Sequence, residues 1–333
     1  MTRLLITTIL GALIAGCGLF DGGTSTQSAA PVDLMRVARP GWQAEGPKSV
    51  AEIAAPEPVA SAQDAASSGA TPTAEDDSAA DAATYQLTPG PVIRLADDRL
   101  VLIVSGTPAD EQGNTTAGHA SQGILGAYWF EKRGDRWYKA KANPGFAMEG
   151  FSGNVGKLTP TDLGNNQTAL AVENGSCWQG SCGNWLALYR VTPEAITPIY
   201  SDLISSDSEG ASAICSDVLE RKAGDSIRVP MDDYSSAAGC YNITGAWKIV
   251  PEKSGPGTLV IVFTGKMASE EAAPKESDAA PASDDEDESG DDPDAEEGSE
   301  YLVTVNPVNE QQTYSFKNNQ YVLAKGRNPN PGL

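Results

Sequence analysis

The chain has 333 residues, a formal net charge of −22 and one histidine, His119. Its length is enough to bury a sizeable core. The acidity does not describe that core: residues 268–300 hold 15 acids and one Lys, residues 18–84 hold 10 acids and three bases, and 85–267 with 301–333 hold 20 acids and 18 bases. The nearly neutral remainder carries no basic surface run of the kind that excess charge would give a nucleic-acid binder.

In chain order, the first feature is a secretory signal over residues 1–16. Arg3 precedes an apolar run from Leu4 to Ile14, which ends in Ile14-Ala15-Gly16-Cys17. The run is too short to span a hydrocarbon layer about 30 Å thick, which takes about 20 helical residues. No other segment is long and apolar enough to do so. A cysteine directly after small residues at this position resembles the lipobox of bacterial lipoproteins. The resemblance implies cleavage before Cys17, diacylglycerol on its thiol and acylation of the new amino terminus. Gly18 in place of Asp implies outer-membrane sorting, so the expected address is the bacterial cell envelope, on the periplasmic face or the surface.

Residues 17–84 are rich in Ala, Pro, Ser, Thr and Asp, which bury too little apolar surface to offset the entropy of ordering. They are expected to form a disordered tether with an end-to-end distance of about 45 Å. Only Val32 to Trp42 is apolar enough for a short docking element. Residues 268–300 are expected to be a second disordered run, an acidic insertion with strand-like sequence on both sides, which loop-closure entropy tolerates.

The folded part is expected over 85–333, with short β-branched and aromatic runs between Gly, Pro, Asn and Asp clusters. One short helix is expected around Ser212–Arg221. Three segments align without gaps: Arg99–Gly106, Thr168–Gly175 and Thr258–Gly265. Each is followed by a variable loop and a hairpin: Ala127–Phe130 with Trp137-Tyr138, Trp185–Tyr189 with Ile196–Tyr200, and Thr313–Phe316 with Tyr321–Leu323. Three strand-loop-hairpin units predict an all-β, antiparallel domain built from repeats. The units loosely resemble integrin-type FG-GAP propeller blades. Asp162-Leu163-Gly164-Asn165-Asn166 stands where such blades carry a calcium loop but lacks their Asp-x-Asp-Gly-Asp pattern. Both a propeller-like arrangement and a β-sandwich of the same hairpins fit. In either, the three loops after the repeated strands (Thr107–Gly123, Cys177–Cys182 and the acidic insertion) would share one end of the domain.

Besides Cys17 there are four cysteines, and an even count in an exported domain argues for disulfides. Cys177–Cys182 and Cys215–Cys240 are the favoured pairs of three possible pairings. Intervals of 4, 32 and 24 residues between successive cysteines lack the close pairs of a zinc site.

No catalytic constellation is legible. Gln179-Gly180-Ser181-Cys182-Gly183-Asn184-Trp185 resembles the papain-family segment but lacks the nucleophilic cysteine before the Trp, and His119 lies upstream instead of downstream. Asp285 to Glu296 fits EF-hand spacing only as a dense acidic run does, with Pro293 in it. Trp129, Trp137, Tyr138 and Trp185 read as core or cross-strand aromatics. Trp178, between two cysteines at a loop tip, reads as the contact residue. The expectation is a non-enzymatic, membrane-anchored β domain with no metal or cofactor, binding an envelope protein or polymer or serving a structural role. The alternatives are a hydrolase of envelope polymers with unrecognised carboxylates, or an inhibitor of a foreign enzyme.

Overall fold

The computed structural model describes residues 24–56, 82–270 and 300–331. Fifteen strands form two antiparallel sheets. The first has six strands in the order β1 (Ser25–Thr26), β6 (Arg136–Glu149), β5 (Gly123–Arg133), β4 (Arg99–Pro108), β3 (Ala82–Ala96), β2 (Val50–Ala54). The second runs β11 (Ser226–Pro230), β14 (Glu300–Lys317), β13 (Thr258–Glu270), β12 (Tyr241–Val250), β10 (Ile196–Asp207), β9 (Ser181–Val191), β8 (Gln167–Trp178), β7 (Lys157–Gly164), with β15 (Gln320–Lys325) on β14.

The three repeats are three four-stranded meanders, β3 to β6, β7 to β10 and β12 to β15. The second and third join into one sheet where Ser206 and Asp207 pair with Ile243 and Asn242. One face of that sheet is covered by Leu186, Leu188, Ile243, Ile261, Phe263 and Tyr314. Of the two arrangements the sequence left open, the layered one is present. Val101, Ile103, Leu125 and Trp129 of the first sheet pack face to face on Leu170, Val172, Tyr189 and Val191 of the second. The Trp129 indole N–H donates across the layers to Thr192 O at 2.9 Å. Burial on both faces explains the unbroken apolar run of β4: Leu100, Leu102 and Val104 point the other way, into a third layer.

That third layer corrects the expected tether. Residues 24–56 are part of the fold, as β1, helix α1 (Pro31–Ala38), a 3-10 turn (Gly46–Lys48) and β2; β3 then begins at Ala82. In α1, Pro31 opens the first turn, Asp33 and Arg36 suit its two ends, and Leu34, Met35, Val37 and Ala38 form one buried stripe. With buried Trp42 they cover the outer face of the first sheet. This stripe falls in Val32–Trp42, the stretch expected to be apolar enough for a short docking element; the Ala- and Pro-rich composition around it hid β1 and β2. The boundaries of the acidic insertion are likewise narrower: Ala268–Glu270 complete β13, where Ala268 pairs with Val305 and is buried. Residues 271–299, 57–81 and 1–23 lie outside the described residues, as do Cys17 and the EF-hand-like segment.

Helices α2 (Ala213–Glu220) and α3 (Met231–Ala238) pack against β13 and β14 of the second sheet. Cys215–Cys240 joins them with Cα atoms 5.2 Å apart, among Val218, Leu219, Ala237, Val303 and Val305. Lys266 Nζ donates to Leu219 O at 2.9 Å and Arg221 O at 2.6 Å, satisfying carbonyls at the end of α2. The closing glycine of the third repeat strand, Gly265, has φ +151°, and a β-carbon there would lie 2.0 Å from Asn242 O. Gly265→Ala is therefore expected to destabilise the domain by more than 1 kcal/mol, about the scale of a strained backbone position. Urea unfolding followed by tryptophan fluorescence measures it.

Candidate binding surface

The layers meet at one end in a seam formed by β6, β8 and β9 and by loops 109–122 and 150–156. At its base is Glu149, the last residue of β6. Its carboxylate accepts hydrogen bonds from the Tyr189 hydroxyl and from Asn174 Nδ2, the latter at 3.1 Å. Burial pushes the Glu149 carboxyl above the usual range, and the two hydrogen bonds only partly oppose it. Burial, with the Glu149 charge beside it, also pushes the Tyr189 hydroxyl far up, which keeps it a donor. Phe146 meets Tyr189 edge-on with centroids 5.5 Å apart, and Phe151 tilts against Trp185 at 5.3 Å.

The strand period carries the seam outward. Asn174, Ser176 and Trp178 alternate onto one face of β8, and Asn174 pairs directly with Trp185 of β9. Trp178 is 64% exposed and stacks on His119, with ring centroids 5.4 Å apart and 29° between planes. Its position is fixed locally. Cys177 and Cys182 face each other across the β8–β9 ladder and are bonded, with Cα atoms 4.0 Å apart. Gln179 and Gly180 both take positive φ in a two-residue turn of the kind that suits right-twisted strands. A β-carbon on Gly180 would lie 1.9 Å from Gly210 O, so only glycine lets the tip rest on the segment after β10. His119 is placed by a main-chain pairing of the two loops, Ser152 N–H to His119 O at 3.0 Å and Gly153 N–H to Ser121 O at 2.7 Å.

Two of the three loops that follow the repeated strands therefore meet, through His119 and Trp178; the third lies outside the described residues. Trp129 and Trp137 are buried in the layers, and Trp185 and Tyr138 are half-buried. Both disulfides have the favoured pairing. Glu149, Asn174 and Tyr189 escaped the sequence reading because 25 and 40 residues separate Glu149 from its partners. Asp162 Oδ1 accepts the Gly164 N–H at 2.8 Å, which braces the β7–β8 turn.

A second half-buried carboxylate, Asp202, lies on β10. It accepts the Leu203 N–H at 2.8 Å and the Tyr314 hydroxyl at 3.4 Å, and Tyr314 packs edge-on to Tyr200 at 5.0 Å. Burial raises the Asp202 carboxyl and pushes Tyr314 up to about 12. At the far end of β9, a shallow cleft of about 410 Å³ is lined by Arg190, Thr192, Thr197, Asn318, Asn319 and Gln320. Among the described residues no three His, Cys, Asp or Glu side chains cluster as metal ligands do.

The two raised carboxyls set the sign of the pH dependence. A folded state that holds a proton the unfolded chain has released loses stability as pH rises. The contribution of Glu149 and Asp202 is full below the ordinary carboxylate range and is lost as pH passes through their raised folded values. Glu149→Gln, which keeps an acceptor for Asn174, is expected to melt above the parent at pH 8, with the gap closing toward pH 4. Calorimetric scans across that range check it; a gap that widens at low pH would contradict the assignment.

No family model matches the chain, and comparison with curated protein sequences and with solved structures found no match.

Proposed function

We propose that this is a bacterial envelope lipoprotein, held on the membrane by lipid on Cys17, whose β domain binds an envelope protein or polymer without catalysis through the seam rim around Trp178. The observation that carries the reading is a 64% exposed tryptophan on a disulfide-closed tip, stacked on the one histidine. A large aromatic left in water forfeits burial, and Trp is prominent among residues that dominate binding energy. Holding it in place beforehand lowers the ordering cost of association.

The test compares the unaltered mature protein with Trp178→Ala, each immobilised and exposed to solubilised envelope and to peptidoglycan. The expected result is a retained component that is lost with Trp178→Ala. Stability should change by less than about 0.5 kcal/mol, as for surface substitutions. Equal retention by both proteins would contradict the reading. Turnover of a glycan or peptide polymer, abolished by Glu149→Gln, would replace it with the hydrolase reading, because a half-buried carboxyl with a raised pKa is suited to general acid catalysis.

A further inference from the structure

The fold begins unexpectedly close to the proposed lipid. Thr24 is the first described residue, seven positions after Cys17. Seven fully extended residues span at most about 25 Å. The edge at which the chain enters the fold is therefore confined near the bilayer, if Cys17 carries lipid as proposed above.

That edge is defined by contacts of the first residues. Ser25 pairs with Tyr138 and Thr26 with Trp137 on β6. Thr24 Oγ1 donates to Val37 O at 3.2 Å, and Arg136 donates to Ser25 Oγ at 2.7 Å and Ser25 O at 2.8 Å. In this antiparallel register Thr24 stands on the Lys139 side of the Ser25–Tyr138 pair.

The edge is basic, a local run that the near-neutral balance of the folded part as a whole concealed. Residues 131–141 hold five bases, Lys132, Arg133, Arg136, Lys139 and Lys141, against Glu131 and Asp135, a net charge of +3 where the whole chain carries −22. Lys132, Arg133, Lys139 and Lys141 are exposed. They are also held: Lys132 and Arg133 lie over the rings of Trp137 and Tyr138, at 5.7 and 5.3 Å, and Lys139 Nζ donates to Ala38 O at 2.9 Å. Arg39 follows Ala38 and adds a sixth base. The acidic segment 271–299 joins β13 to β14, in the other sheet.

We propose that the β1–β6 edge, with the β5–β6 turn beside it, is a docking surface for anionic phospholipid, so that the domain lies against the membrane by this edge and turns other surfaces to its partner. The anchor sets the distance and the bases set the orientation. Each base held near an anionic surface strengthens attachment about fivefold, and the attraction fades within a Debye length of about 8 Å at physiological salt. A connection that can span at most about 25 Å allows contact and prevents escape far beyond it.

The test uses the mature chain from Gly18, made without lipid, so that the anchor contributes nothing. Co-sedimentation is measured with vesicles of phosphatidylcholine alone and with phosphatidylglycerol added, at low and at 0.5 M salt. The expected result is binding only to the phosphatidylglycerol vesicles, abolished by salt. In Lys132→Glu/Arg133→Glu, two exposed turn-side substitutions, it should weaken at least tenfold with the far-ultraviolet circular dichroism unchanged. The salt series needs no variant and so stands even if the double substitution fails to fold. Absent binding, equal binding to both vesicles, or tighter binding to a single-stranded oligonucleotide would overturn the proposal. Mass analysis of Cys17 in the cell-made protein tests the anchor separately: an unmodified thiol removes the leash argument while the vesicle result still judges the edge.

Discussion

Leu34→Ala is expected to lower the unfolding free energy by about 2–5 kcal/mol, the range for emptying a buried leucine site. Leu34 is fully buried on α1, in one cluster with Met35, Trp42, Leu100, Leu102 and Phe130. The cluster joins α1 to that face of the first sheet, and a close-packed interior of this kind fills an emptied leucine site only in part. Urea unfolding followed by tryptophan fluorescence reads the change, with Val32→Ala as the internal control, because Val32 is on the same helix and 43% exposed. A cost below about 0.5 kcal/mol at Leu34, equal to that at Val32, would mean that residues 24–42 are not integral to the domain.

The second large effect is expected at Cys215–Cys240. A bond closing 25 positions of chain removes about 3.5 kcal/mol of unfolded-state entropy in the loop-closure model, against about 2 kcal/mol for the Cys177–Cys182 ring with a separation of 5. The longer bond also ties α2 to α3, whose contacts with β13 and β14 come from a few small and branched side chains. Cys215→Ala/Cys240→Ala is therefore expected to lose the greater stability of the two double variants, by about 1 kcal/mol or more. The loss should be accompanied by faster hydrogen exchange in α2 and α3 before the sheets exchange. Cys177→Ala/Cys182→Ala should instead leave exchange in the sheets unchanged and loosen the tip that carries Trp178. The reverse order of stabilities would refute the assignment of the longer bond as the main staple.

The strand pattern was legible because it is local. Arg99–Gly106, Thr168–Gly175 and Thr258–Gly265 each hold a short apolar run and end at glycine, and each became the second strand of a meander. The turns were legible for the same reason: Gly134, Asn165, Asn166, Asn318 and Asn319 all take positive φ. Both disulfides followed from cysteine count and spacing. What stayed hidden was long-range. The apolar density of Val32–Trp42 was legible, but its helical form and its place in the core depend on the apolar sheet face that it covers, because isolated helices of eight residues gain little from propensity alone. The joining of two meanders into one sheet rests on the short Ser206–Ile243 and Asp207–Asn242 pairing, which no periodicity marks. Trp178 stood out as an aromatic between two cysteines, whereas Glu149, Asn174 and Tyr189 converge from three strands, and their chemistry arises from burial that only the packed layers create.

The most direct measurement is the intact mass and amino-terminal peptide mass of the protein purified with detergent from a bacterium that processes lipoproteins. The account predicts a mature chain that begins at Cys17, heavier than its amino-acid mass by diacylglycerol and an amide-linked acyl chain. A chain that retains Met1, or begins at an unmodified Cys17, would contradict the account.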